Sequence, residues 1–192
     1  MLSRTKRMRL WTYLLDAPVV AVLTFVFFFL MDKPNRNLGA CLTGVVCIGL
    51  IPLSAWFHMV RHPGDYKGER KVAFVLSIVG YMIGTIVMVV FFREARLFLT
   101  LMLSYMFTVV GLVIINLLHY KASGHAAGVS GPATAITIRY GWLGAISYLL
   151  LVLVAIAKIN IKEHTLGQLC TGAGITIAST LTAFAVTGML RF

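Results

Sequence analysis

Apolar residues fall along this chain in long unbroken runs separated by short polar punctuation. The runs cover about residues 10 to 31, 38 to 60, 72 to 92, 97 to 118, 142 to 159 and 166 to 190, each near the ~20 residues with which an α-helix crosses a bilayer. A seventh, about 125 to 140, is shorter and rich in Ala and Gly. Lipid offers no partner to bare N–H and C=O groups, so only helices or a closed barrel can span it, and barrels are written as alternating strands of ~10 residues. The pattern predicts a single all-α domain over residues 1–192, a polytopic transmembrane helical bundle of about seven spans, or six if the first or the fifth does not fully cross.

The polar punctuation orients these runs. Arg4, Lys6, Arg7 and Arg9 precede Trp11 and Tyr13, a basic and aromatic belt suited to the membrane interface. No small-residue cleavage site follows, so the first helix is expected to be retained. Asp16-Ala17-Pro18 reads as a helix start, with the carboxylate as cap and the proline in the first turn, although an acid at that depth is also a functional candidate by default. Counting crossings places the N-terminus and the segments 61–71, 119–123 and 158–165 on one face. The turns near Lys33, Glu94 and Arg139 and the C-terminus fall on the other. All five histidines, His58, His62, His119, His125 and His164, belong to the first face.

Composition narrows the class further. With 59% hydrophobic and 12% charged residues, the chain cannot clothe a water-soluble domain. The net charge of +11 is spread over short loops and the N-terminus with no continuous basic face, which fits anchoring to anionic headgroups and not nucleic-acid binding. Cys41, Cys47 and Cys170 fall inside predicted spans and read as small apolar side chains, without a disulfide framework.

Two segments carry chemistry. Lys121-Ala122-Ser123-Gly124-His125 opens the short run, and His164-Thr165-Leu166-Gly167-Gln168 opens the last one. Two crossings lie between them, so both histidines return to one membrane surface, each at the start of a helix. A neutral imidazole can attack phosphorus, a second can protonate the leaving oxygen, and fixed cations can hold the phosphoryl oxygens. Lys67, Arg70, Lys121 and Lys158 are the cations available on this face, and Ser123-Gly124 offers free N–H groups with room for an anion. Phosphoryl transfer without a metal or other cofactor follows as the expectation. His58 and His62, at i and i+4 with Asp65, could alternatively hold a metal or simply solvate a helix end. Gly124, Gly128 and Gly131 with Ala126, Ala127 and Ser130 read as a close helix-packing face.

These residues resemble the type-2 phosphatidic acid phosphatase superfamily of membrane lipid phosphatases over roughly residues 61 to 190. The family motif P-S-G-H is similar to Ala122-Ser123-Gly124-His125. Its S-R-x5-H-x3-D motif aligns with Ala157-Lys158, His164 and Gln168, the spacing kept while Ser becomes Ala, Arg becomes Lys and Asp becomes Gln. Lys67-Gly68-Glu69-Arg70 stands where the family has K-x6-R-P. The resemblance implies that His164 is the nucleophile, His125 the general acid, and Lys67, Arg70, Ser123, Gly124 and Lys158 phosphate ligands, with Lys121 a further cation on that face. Lys158 lacks the planar fork of arginine and should grip phosphate less directionally. Gln168 can orient the nucleophilic imidazole without supplying charge, and Thr165-Leu166-Gly167-Gln168 also fits a capping box.

The implied substrate is a lipid phosphate such as phosphatidic acid, phosphatidylglycerol phosphate, or a polyprenyl phosphate or diphosphate. The alternatives are a non-catalytic member that binds or moves anionic lipid, and a phosphotransferase to an alcohol acceptor. Eleven of the seventeen Lys and Arg residues lie on the histidine face, four of them before the first helix. The positive-inside rule then puts the N-terminus and the active site on the cytoplasmic side of the plasma or inner membrane.

Overall fold

The structure is a computed structural model and describes residues 16–190; the belt from Arg4 to Tyr13 and the charge of Arg191 lie outside the described residues. Those residues are helical almost throughout, with no strand among them. We number the helices α1 (Ala17–Met31), α2 (Leu38–Arg61), α3 (Tyr66–Phe91), α4 (Arg96–Leu117), α5 (Gly124–Tyr140), α6 (Trp142–Asn160) and α7 (Leu166–Val186). Helices α2, α3, α4, α6 and α7 are long and apolar enough to cross a membrane. Helices α1 and α5, of 15 and 17 residues, are shorter, at ~1.5 Å of rise per residue. Large apolar side chains stand exposed around the bundle, among them Leu23, Phe57, Ile86, Phe91, Leu117, Trp142, Leu153 and Val186. Such a surface belongs in lipid, not water, and this is the make-up of an integral membrane protein.

Local chemistry explains where the helices begin and bend. Asp16 caps α1, its carboxylate accepting from Ala17 N–H at 2.9 Å with Pro18 in the first turn. Helix α2 widens into a π-helical stretch over Val45–Leu50 just before Pro52, as expected where a proline removes a backbone donor. One boundary differs from the sequence expectation. The charged segment 61–71, read as a loop, becomes helical from Tyr66, because Asp65 caps the turn by accepting from Gly68 N–H. Lys67, Glu69, Arg70 and Lys71 therefore sit on the first turns of α3. His58, set beside Asp65 with Nε2 3.0 Å from Oδ2, and His62, whose ring lies 4.7 Å from that of His58, belong to the same cap.

Helix α7 packs chiefly against α4 and α5, and α5 also holds α1 and α6. Phe25, Phe28, Ile48, Met88, Leu97, Phe98, Leu101, Met102 and Phe184 form the buried core. Hydroxyls join neighbours where lipid-like surroundings leave them no water: Ser104 to Thr180 at 2.7 Å, Thr100 to Thr187 at 2.7 Å and Thr134 to Tyr148 at 2.6 Å. Such interhelical bonds contribute on the order of 0.6 kcal/mol each. At the far end, Asp32 after α1 is buried and takes a forked ion pair from Arg139 of α5. The ends of α1 and α5 that carry Asp32 and Arg139 thus share one side of the bundle, leaving Asp16 and His125 together on the other.

Candidate active site

Two tight chain reversals deliver the histidine segments. After α4, His119 takes a left-handed φ of 59° and Tyr120 N–H returns to Ile115 C=O; after α6, Lys162 takes φ 57° and Glu163 N–H returns to Lys158 C=O. These 6→1 bonds close the helix ends. The second reversal also folds the Glu163 side chain back over Lys158. The two segments are then stitched together by Ser123 N–H donating to Gln168 C=O at 2.9 Å. Gly172 permits this approach, since a Cβ there would meet the backbone of Ser123.

The stitch brings His125 and His164 side by side, their rings tilted at 58° with centroids 6.4 Å apart. Gln168 Oε1 accepts from Thr165 N–H at 3.2 Å and lies 3.1 Å from His164 Nδ1. A backbone N–H can only donate, so that amide atom is the carbonyl oxygen, and the Nδ1 facing it carries its proton. His164 Nε2 is left with its lone pair free to attack. Orienter and cap are one atom here, because Thr165 Oγ1 completes the capping box by accepting from Gln168 N–H. Burial holds the His164 imidazole below the ordinary histidine range, and Lys121, Lys158 and Arg70 push the same way against the pull of Gln168. Near neutral pH the ring is therefore uncharged, the state that a nucleophile needs.

Two of the cations, Lys158 and Arg70, converge on a carboxylate that the sequence did not single out. Glu163 Oε2 accepts from Lys158 Nζ at 2.8 Å and lies 2.9 Å from Arg70 Nη2. Lys158 is only 3% exposed, so its charge has its partner inside the protein. Burial acts to raise the Glu163 carboxyl, but the Lys158 hydrogen bond and the charges of Lys158 and Arg70 together hold it below the usual glutamate range. One oxygen gathering two cations is the arrangement that a phosphoryl oxygen would require. A carboxylate next to the second histidine and five residues from Lys158 was the available signal.

A cavity of about 660 Å³ opens over this cluster. Lys67, Arg70, Lys121, Gly124, His125, Lys158 and His164 line it, together with Asp16, Trp56, Glu69 and Glu163. It extends between α3, α4, α5 and α7 as far as Tyr81, Tyr105, Thr108 and Thr176, which lie near the middle of their helices. No family model, curated protein or solved structure matches this chain. Its chemistry rests on its own geometry. Of the residues expected as catalytic or phosphate-binding, Ser123 and Gln168 do not line the cavity: Ser123 is fully buried, its hydroxyl capping α5 by accepting from Ala126 N–H at 3.3 Å, and Gln168 stands behind His164.

The shared oxygen of Gln168 makes a prediction. Gln168→Leu is expected to lower kcat about 100-fold and stability by about 1 kcal/mol, since imidazole partner and cap disappear together. Thr165→Ala removes the other half of the box and should match the stability loss while keeping activity within about threefold. Turnover and unfolding temperature measured on both variants decide it, and activity falling in proportion to stability in both would leave Gln168 a cap alone.

Proposed function

We propose that this chain is a divergent, seven-span member of the type-2 phosphatidic acid phosphatase superfamily that hydrolyses a lipid phosphate or diphosphate without a metal. The observation that carries the reading is the adjacent pair of histidines, His164 with its proton held on Nδ1 by Gln168, inside a cavity ringed by Lys67, Arg70, Lys121 and Lys158. In this mechanism His164 Nε2 forms a bond to phosphorus while the P–O bond to the lipid breaks, and His125 gives its proton to the departing oxygen. Water then attacks phosphorus, its proton passing to His125, and the P–N bond breaks to release phosphate. The cations and the N–H groups opening α5 balance the charge of the phosphoryl oxygens in both steps.

The reach of the cavity toward mid-membrane supports a lipid substrate, with the phosphate at the cationic end. A second reading, a non-catalytic member that binds or moves anionic lipid, draws on Glu163, which already engages Lys158 and Arg70. Vanadate-sensitive release of phosphate from phosphatidic acid, phosphatidylglycerol phosphate or polyprenyl diphosphate in EDTA supports the enzyme. No release from any of them supports the binder, and product formation that requires an added alcohol identifies a transferase.

The histidine face is proposed to be cytoplasmic, by the excess of Lys and Arg beside it. Single cysteines at Pro63 and Lys33, in a background lacking the native three, report the side. On intact cells an impermeant thiol reagent is expected to label position 33 and spare 63; the reverse labelling places the substrate pool outside.

A further inference from the structure

The general-acid histidine has a partner of its own. His125 Nε2 lies 3.4 Å from Asp16 Oδ1, both side chains 22% exposed. This contact spans more than a hundred residues of sequence and depends on how α1 meets α5. Gly128, one turn after His125, is where Ala17 rests: a Cβ at 128 would collide with Ala17 Cβ and Cα. The glycine thus seats the first residue of α1 against α5, and the cap residue just before it arrives beside the imidazole. Asp16 is held there twice more, by Ala17 N–H and by the indole of Trp56.

We infer that Asp16 is the positioning residue of the acid–base histidine, fixing the His125 ring by Nε2 so that Nδ1 delivers the proton to the leaving oxygen. This inference rests on the phosphatase reading above. His125 lines the cavity beside Lys67, Arg70, Lys121 and Lys158, so a proton held on its ring needs an anion close by, and Asp16 is the anion in contact with it among the described residues. A carboxylate beside Nε2 favours the protonated ring and selects the Nε2–H tautomer once Nδ1 has given its proton up. The nucleophile His164 is oriented by a neutral amide, while the acid is oriented by a carboxylate. Charge is therefore placed where a proton must be stored and withheld where a lone pair must stay free.

Leaving-group dependence tests this role. A phenolate departs without a proton, whereas an alkoxide needs one, so the loss of a well-placed acid is felt only with the alkyl ester. Asp16→Asn is the variant of choice because asparagine caps a helix as well as aspartate does, and an unchanged unfolding temperature in detergent verifies the fold. For the full chain, kcat/KM is measured on dioctanoyl phosphatidic acid and on 4-nitrophenyl phosphate, with His164→Ala beside it. Asp16→Asn is expected to cost about 10- to 100-fold on phosphatidic acid and less than about threefold on the aryl ester. An equal loss on both, or no loss on either, while His164→Ala is inactive, overturns the role of Asp16 and leaves the phosphatase reading standing. Wild-type protein that releases phosphate from neither ester and from none of the other lipid phosphates named above, or His164→Ala fully active, overturns both together.

Discussion

Replacing His164 with alanine is expected to reduce turnover on the order of 10⁴-fold or more and to abolish any phosphoenzyme, because the variant removes the atom to which phosphorus would be joined. The fold should survive. Thr165 N–H keeps its acceptor in Gln168 Oε1 and Gln168 N–H keeps Thr165 Oγ1, so the start of α7 stays capped without the imidazole. In the wild type, labelled lipid phosphate should leave a phosphohistidine, which a nitrogen–phosphorus bond makes stable to base and labile to acid. Turnover near that of the wild type, or a phosphoenzyme that survives acid, would falsify the covalent role of His164. His125→Ala makes a useful companion, because both steps then slow while phosphorus still has its acceptor.

Glu163→Leu is expected to produce the largest loss of stability at the site. Lys158, nearly fully buried, would be left without its acceptor, whereas Arg70, 42% exposed, can turn to water. Removing one partner of a buried pair typically costs about 3 to 5 kcal/mol. Because the Glu163 side chain is 27% exposed, about 2 to 3 kcal/mol is the fitting range. Arg70→Met should cost under about 1 kcal/mol. The double change Glu163→Leu with Lys158→Met should restore much of the loss, since an apolar pair of similar volume carries no buried charge. Unfolding temperatures in detergent for the three variants establish the ranking. If Glu163→Leu is as stable as the wild type, the carboxylate is not the partner on which Lys158 depends.

The membrane class and the positions of the helices were legible in the sequence, because lipid imposes a simple rule: an apolar run of spanning length must satisfy its own backbone and therefore becomes a helix. The histidines could be paired for a related reason. Two crossings return a chain to its starting face, so His125 and His164 share a surface in any bundle with this order of spans. Capping was equally local at Asp16 and Thr165, which each stand just before a helix and cap it, whereas Ser123, expected among the phosphate ligands, caps α5 instead. The charged segment after His62 misled, since its polarity suggested a loop while Asp65 supplied the cap that starts α3 early.

Crossing counts reach only as far as a shared face. They do not say which side chains on that face touch, because contact depends on how closely helices approach and on how each chain reversal turns. Gly128 admitting Ala17, and Gly172 admitting the Ser123 backbone, are short-range packing events between residues far apart in sequence. From them follow the contact of Asp16 with His125 and the stitch from Ser123 to Gln168. Glu163 drawing Lys158 and Arg70 together likewise needs α3 and α6 to meet at one end. The order of apolar runs and the polar residues between them is enough to place two histidines and several cations at one surface of a helical membrane protein. Which carboxylate serves which base was decided by tertiary packing, because the electrostatic interactions that matter act over a few ångströms, a distance that only the packed helices define.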